Sequence, residues 1–195
     1  MWPLLACSLM VFIVVMERAL FWLTIRRQRD HELLDEALTI AERGDWQLIR
    51  ERTNGCNDYI IRMLGVGILH REYDMAKAME AQAQETIHRM SKGMSILDTM
   101  ITVAPLLGIF GTVLGIISSF NMLGAGGIAD PKLVTGGIAQ ALITTAAGLG
   151  ISIISVFPYN YFRSRIEHSV HTMEKYATSL EVVYEKLLER GRGTR

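Results

Sequence analysis

Two stretches decide the fold: ITVAPLLGIFGTVLGIISSFNML at Ile101–Leu123 and LVTGGIAQALITTAAGLGISIISVFPYNYF at Leu133–Phe162. Both lack Asp, Glu, Lys and Arg, and both exceed the roughly 20 residues a helix needs to cross a bilayer. On a background of Leu, Ile and Val, each carries small or hydroxyl residues at helical spacing. In the first these are Ala104, Gly108, Gly111, Gly115 and Ser118; in the second, Ala141, Thr145, Gly148, Ser152 and Ser155. Steps of four and three set them along one face of each helix. A soluble core helix fills such a face with large side chains. In a bilayer, a small face lets helices approach closely, and its hydroxyls bond across helices or line a polar path.

Working outward, the 20 basic and 20 acidic residues cancel, which leaves no overall electrostatic footprint for nucleic acid. Met1–Met16, Ile101–Ala129 and Leu133–Phe162 are free of charge. Trp2 to Ile25 reads as a first transmembrane helix, retained rather than cleaved because the apolar run continues past Glu17 and Arg18. Leu4 to Cys7 comes too early, with no basic residues ahead, to be a lipoprotein processing site. Trp2 and Trp22 fall near the two interfaces, and Arg26, Arg27 and Arg29 mark the cytoplasmic end, leaving the N-terminus outside. Glu17 and Arg18 are adjacent and so do not face one another along the helix. Arg18 is expected to snorkel, and Glu17 to find a partner on another helix. Cys7 and Cys56 read as a small buried hydrophobe and a free thiol, not as a disulfide.

The polar region after the first span carries several helix signals. His31–Arg43 places Leu33, Leu34, Ala37, Leu38 and Ala41 on one face and stops at Gly44. Asp45 caps a second short helix ending at Asn54-Gly55, and Asp58 to His70 gives a third. From Glu72 the stripe Met79, Ala83, Thr86, Met90, Met94 and Leu97 runs on, interrupted only by Gly93. This predicts one long helix entering the second span. Pro105 lies inside that span and frees a carbonyl that a neighbouring helix, a hydroxyl or water must satisfy. Gly124 to Lys132 forms a short outside loop, and Arg163 and Arg165 return the chain to the cytoplasmic side. Ile166, Val170, Met173, Ala177, Leu180, Tyr184 and Leu187 then repeat at four and three, a stripe that should pack on the long helix or on a neighbouring copy. The expected architecture is an all-α membrane protein with three transmembrane helices and long cytoplasmic helical extensions. Its segments are a first span at 1–25, a cytoplasmic helical region at 26–96, a second span at 97–123, a periplasmic loop at 124–132, a third span at 133–162 and a cytoplasmic C-terminal helix at 163–195.

No Walker loop, nucleophile elbow or metal-ligand cluster is present, so neither an enzyme nor a cofactor or metal is expected. His168 and His171 stand three apart but have no further ligand beside them. The polar groups within the spans are Thr112, Gln140, Thr144, Thr145, Ser152 and Ser155. Hydroxyls in such helices often bond back to the carbonyl one turn earlier. Gln140 differs, because its own helix cannot readily satisfy its amide. None of these groups titrates near neutral pH, and Asp98 reads as an anchor at the cytoplasmic mouth. If protons cross here, the ionisable carrier at mid-membrane comes from another chain.

Ala104-Pro105-Leu106-Leu107-Gly108-Ile109-Phe110-Gly111-Thr112-Val113-Leu114-Gly115 resembles the second-span signature of the MotA/TolQ/ExbB proton-channel proteins, and Gly137 to Leu149 resembles the third. Three spans with an outside N-terminus look like the ExbB/TolQ branch. The resemblance implies a homo-pentameric ring in the bacterial inner membrane, N-terminus periplasmic and C-terminus cytoplasmic. Its second and third spans would line a pore holding an ExbD/TolR-like single-span dimer whose aspartate carries the proton, with a TonB/TolA-like protein as a further partner. Thr112 and Thr145 match the family's pore threonines; Thr144, Gln140 and Ser152 complete the expected ion pathway. Gly108, Gly111, Gly115, Ala141 and Gly148 are expected to pack the helices. Gln140 stands where glutamate is common, and the usual third-span proline is displaced to Pro158, with Ile154 near its place. The implied function is an ion-conducting motor subunit converting proton-motive force into work on periplasmic or outer-membrane processes. The alternative is a non-conducting membrane scaffold for a single-span partner. Proton or sodium, and TonB-like, Tol-like or motility pathway, stay open at this point.

Overall fold

The computed structural model describes residues 1–53, 55–125 and 131–193, and every regular element among them is an α-helix. In chain order these are α1 (Trp2–Gln28), α2 (His31–Glu42), α3 (Trp46–Thr53), α4 (Tyr59–Leu69), α5 (Met75–Ser91), α6 (Met94–Ala125) and α7 (Pro131–Gly193). Helical runs containing α1, α6 and the first half of α7 are long and apolar enough to cross a membrane. Most of the loop expected at 124–132 lies outside the described residues. Contacts divide the chain into an apolar unit (Met1–Ala19 and Gly93–Arg163) and a polar unit (Leu20–Lys92 and Ser164–Arg195).

In the apolar unit, α1 buries Leu4, Cys7, Val11 and Val14 on one stripe while Leu5, Leu9, Phe12 and Ile13 face outward. The other spans likewise expose Leu106, Phe110 and Phe120 of α6 and Leu142, Ile153 and Phe157 of α7. So much outward apolar surface suits lipid or other chains, not water. Arg18 corrects one expectation. It is only 2% exposed, and instead of snorkelling it forks onto its neighbour: Nε donates to Glu17 Oε2 at 2.9 Å and Nη2 to Oε1 at 2.5 Å. The long guanidinium arm curls back far enough to overcome the unfavourable backbone spacing. Pairing the charges at once also lessens the cost of desolvating each alone.

The single long helix expected before the second span is broken. Lys92 leaves helical geometry with ψ 133° and Gly93 adopts φ +79°, so α5 ends and α6 begins within two residues. Only glycine takes that left-handed conformation without steric cost. A Cβ at Gly93 would also lie 3.0 Å from Val14 Cγ1, so α1 passes directly against the break.

In the polar unit, four aspartates start four helices. Asp30, Asp45, Asp58 and Asp74 accept from the backbone N–H groups of Leu33, Leu48, Ile60 and Lys77 at 2.8–3.1 Å. Each such cap contributes about 1 kcal/mol. The Lys77 ammonium, 2.9 Å from Asp74, hydrogen-bonds that carboxyl and holds it below the usual carboxylate range. Gly44 ends α2 with φ +75°, as its sequence position foretold. Leu34, Ile49, Ile60, Ile61, Met63 and Leu64 form a core that is closed by Met173 and Leu180 of α7. The predicted stripe Val170, Met173, Ala177, Leu180 and Tyr184 therefore packs within its own chain, on the whole helical cluster and not on α5 alone. Trp46 and Tyr184 meet edge to face at 5.8 Å. Trp22 is 9% exposed and has its ring edge to face against Phe21 at 6.1 Å. Leu180→Ala should lower stability by about 2–5 kcal/mol, read as a lower melting temperature for the polar unit. A neutral result would mean that the C-terminal half of α7 is not docked there.

Candidate functional site

The small residues of α6 and α7 meet along a seam so tight that backbone touches backbone. A Cβ at Gly148 would lie 2.5 Å from the Ala104 carbonyl oxygen and 3.1 Å from Gly108 Cα. One at Gly108 would lie 3.0 Å from the Thr144 carbonyl oxygen, and one at Gly115 would lie 2.7 Å from Ala141 Cβ. The predicted packing set of Gly108, Gly111, Gly115, Ala141 and Gly148 is thus brought together. Two members escaped the sequence reading: Ser119, 1% exposed, faces Gly137 across the seam, whereas Ser118 points out. At about 100° per residue, Ser119 falls about 40° from Gly115 on the same side as Thr112, and Ser118 about 60° to the other side. The signal available was that side of the helix, not the four-three count.

This closeness is what lets hydroxyls cross between helices. Thr112 and Thr145 are hydrogen-bonded through their Oγ1 atoms. Thr145 Oγ1 also lies 3.1 Å from the Gly108 carbonyl oxygen, and Thr112 Oγ1 lies 3.1 Å from the carbonyl oxygens of both Gly108 and Ala141. Two hydroxyls bring two protons and, besides each other, face two carbonyls. In one arrangement Thr112 donates to Thr145 and Thr145 to Gly108. In the other, Thr145 donates to Thr112 and Thr112 to Ala141. Rotation about the C–O bonds interconverts them. Thr144, 7% exposed, has the Ala141 carbonyl oxygen 2.6 Å and the Gly108 carbonyl oxygen 3.3 Å from its Oγ1, so it shares both acceptors with the pair. The pair can redirect a hydrogen bond, but it cannot store a proton at neutral pH.

Ser152 has a separate task. Pro105 has no N–H for the carbonyl four residues earlier, that of Ile101. Ser152 Oγ donates to that oxygen at 2.7 Å, supplying from α7 the bond that α6 cannot make. Ser155 instead bonds back to Ile151 at 2.6 Å. Ser152→Ala should cost about 1–3 kcal/mol by leaving the carbonyl bare. The same change in a Pro105→Ala background should cost less than half as much, because the restored N–H serves Ile101. A thermal-unfolding cycle in detergent checks this; equal costs in both backgrounds would refute the pairing.

Gln140 is not part of the seam. Its side chain is exposed on α7 and makes no hydrogen bond to any described residue. Between Thr99 and Leu123, and between Leu133 and Phe162, the chain has no Asp, Glu, His, Lys or Arg; Asp98 is exposed below the first of these runs. No group of three or more His, Cys, Asp or Glu that could hold a metal occurs among the described residues.

These features define a class: a multi-pass membrane protein in which two spans join along a glycine-lined seam with a hydroxyl pair at its centre. The sequence signature of the MotA/TolQ/ExbB proton channel family matches residues 59–175, which includes that seam. The chain is 31% identical to an ExbB-like biopolymer transport protein of Synechocystis sp., over 96% of this chain and 76% of the relative. It is 32% identical to a biopolymer transport protein ExbB homolog of Methanothermobacter thermautotrophicus, over 84% and 59%. Likeness to the Tol-Pal system protein TolQ of Pseudomonas aeruginosa is 33% over 56% of this chain and 47% of that one. The chain belongs to the MotA/TolQ/ExbB proton channel family, in its ExbB/TolQ branch.

Proposed function

We propose that this protein is the ion-conducting subunit of a membrane energy-transduction complex, with the proton as its ion. Five copies form a ring around an ExbD/TolR-like single-span dimer, and Thr112 and Thr145 stand where the partner's membrane carboxylate passes. Work done on that partner reaches the periplasm or outer membrane through a TonB/TolA-like protein. The N-terminus is periplasmic and the polar unit cytoplasmic, in keeping with the arginines that follow the first and third spans.

The observation that carries this reading is the hydroxyl pair at the close-packed seam of two helices whose apolar runs, Thr99–Leu123 and Leu133–Phe162, hold no Asp, Glu, His, Lys or Arg. Such a wall can solvate and redirect a proton but needs a carrier from elsewhere. Gln140 adds support, because an outward amide in a bilayer needs a protein or water partner. A non-conducting scaffold is the second reading, favoured by the fact that both threonine hydroxyls already find acceptors within the chain. Sequencing the protein that co-purifies in mild detergent tests the proposal. A single-span chain with an acidic residue inside its span is expected. A partner without one would leave the scaffold.

A further inference from the structure

A groove in the polar unit is lined by residues that neither the seam nor the hydroxyl pair uses. Its volume is about 400 Å³, a size common to binding clefts. The walls are one face each of α5 and α7. On α5 the lining positions run from Ala76 to Ile87 at steps of three and one, and on α7 they run from Val170 to Glu181 at the same steps. Such steps keep to one side of a helix for about three turns, roughly 16 Å. Met63, Met79 and Met173, each 1% exposed, form the floor. Ala76 and Ala83 on α5 and Ala177 on α7 stand where larger side chains would close the gap.

Charge in the groove is of one sign. Glu80, Glu174 and Glu181 line it, and no Lys, Arg or His does. Glu174 and Glu181 form no ion pair with any described residue. Glu80 accepts a hydrogen bond from Gln84 Nε2 at 3.3 Å, a neutral donor. The lysine one turn earlier on α5, Lys77, is held by Asp74 at 2.9 Å. Carboxylates on both walls thus flank an apolar floor, with no cation between them.

Shape and charge together name the occupant. Two helix faces over an apolar floor accept a third helix, whose anchors recur at i, i+3, i+4 and i+7. A methionine floor re-packs around anchors of different shape. Carboxylates on both walls call for Lys or Arg along the flanks of that helix and repel an acidic one. The chain's own short helices do not fit, because α2, α3 and α4 spend their apolar faces on the core at Leu34, Ile49 and Ile60. We propose that this groove docks a basic amphipathic helix of a second protein. Its apolar side chains enter over Met79 and Met173, and its basic residues pair with Glu80, Glu174 and Glu181.

The test embeds the full chain in phosphatidylcholine nanodiscs and follows binding of fluorescein-labelled peptides by anisotropy, with empty nanodiscs as the blank. One peptide is an amphipathic Leu/Lys helix of about 15 residues, enough to span the groove. The others are its Leu/Glu counterpart and a scrambled Leu/Lys sequence. The Leu/Lys helix should bind about tenfold tighter than either, and less tightly as salt is raised. Glu174→Gln and Glu181→Gln should each weaken it about threefold, and Ala177→Phe, which fills the groove, about tenfold. Glu185→Gln, exposed on α7 but outside the groove, should change nothing. Glu174 is exposed, so Glu174→Gln leaves the fold intact and decides the matter should Ala177→Phe fail to fold. Absent or equal binding of the three peptides, or an equal loss with Glu185→Gln, overturns the proposal. So does self-association of the chain that Glu174→Gln abolishes, which would assign the groove to a second copy.

Discussion

Thr145→Val should leave the protein folded and assembled with its partner while removing energy-dependent function by about tenfold or more, a barrier rise of at least about 1.4 kcal/mol. Valine copies the shape of threonine, so the tight seam at Gly108 is not disturbed. What disappears is one hydroxyl of the Thr112–Thr145 pair. Thr112 keeps the carbonyls of Gly108 and Ala141 within 3.1 Å, so no donor is stranded. The stability cost is accordingly small, about 0.6 kcal/mol for an interhelical bond of this kind in a membrane. Thr145→Ser restores the hydroxyl and should restore function. Growth or transport assays alongside co-purification of the partner check this. Full function in Thr145→Val would remove the hydroxyl pair from the mechanism and leave it a packing contact.

Gly148→Ala should be the most damaging single methyl in the chain. The new Cβ would sit 2.5 Å from the Ala104 carbonyl oxygen and 3.1 Å from Gly108 Cα, both backbone atoms that no side-chain rotation can move. The helices must part, and the bonds that depend on their closeness go with them: Ser152 to Ile101 at 2.7 Å and Thr145 to Gly108 at 3.1 Å. Overpacking costs about 1–3 kcal/mol, and the lost interhelical bonds add to it. Gly150, two residues on, has no atom within 4 Å of a Cβ. Gly150→Ala should therefore be neutral or stabilise the helix by up to about 1 kcal/mol. Melting temperatures of the two variants in detergent should move in opposite directions or at least differ widely; similar values would mean that the seam is not the contact that holds α6 to α7.

The parts of this structure legible in the sequence are those governed by solvent. Long charge-free runs give the three spans because a bilayer excludes charge, and the 166–187 stripe gives the docked end of α7 because water excludes it. Local signals are also readable at Asp45 and Asp58 ahead of their helices and at Gly44, whereas the caps at Asp30 and Asp74 are not among the sequence expectations. Elements set by a distant neighbour are not legible. The break at Lys92-Gly93 looks like a tolerable glycine in a helical stripe until Val14 is seen packed against it. Arg18 reads as a snorkelling residue because helix spacing alone hides how far its side chain curls back to Glu17. For the seam, the residue types and two of its hydroxyls were evident, but its rotation toward Ser119 was not. Pro105 announced a carbonyl in need, yet only the fold shows that Ser152 answers it.

The central claim is that the α6–α7 seam lines an ion path whose carrier belongs to a second chain. Proton flux into liposomes under an imposed membrane potential tests it most directly, with this protein reconstituted alone and together with its co-purified single-span partner. The account predicts no flux above the lipid background for the protein alone, flux with the partner present, and loss of that flux with Thr145→Val. Flux through the protein alone would contradict it.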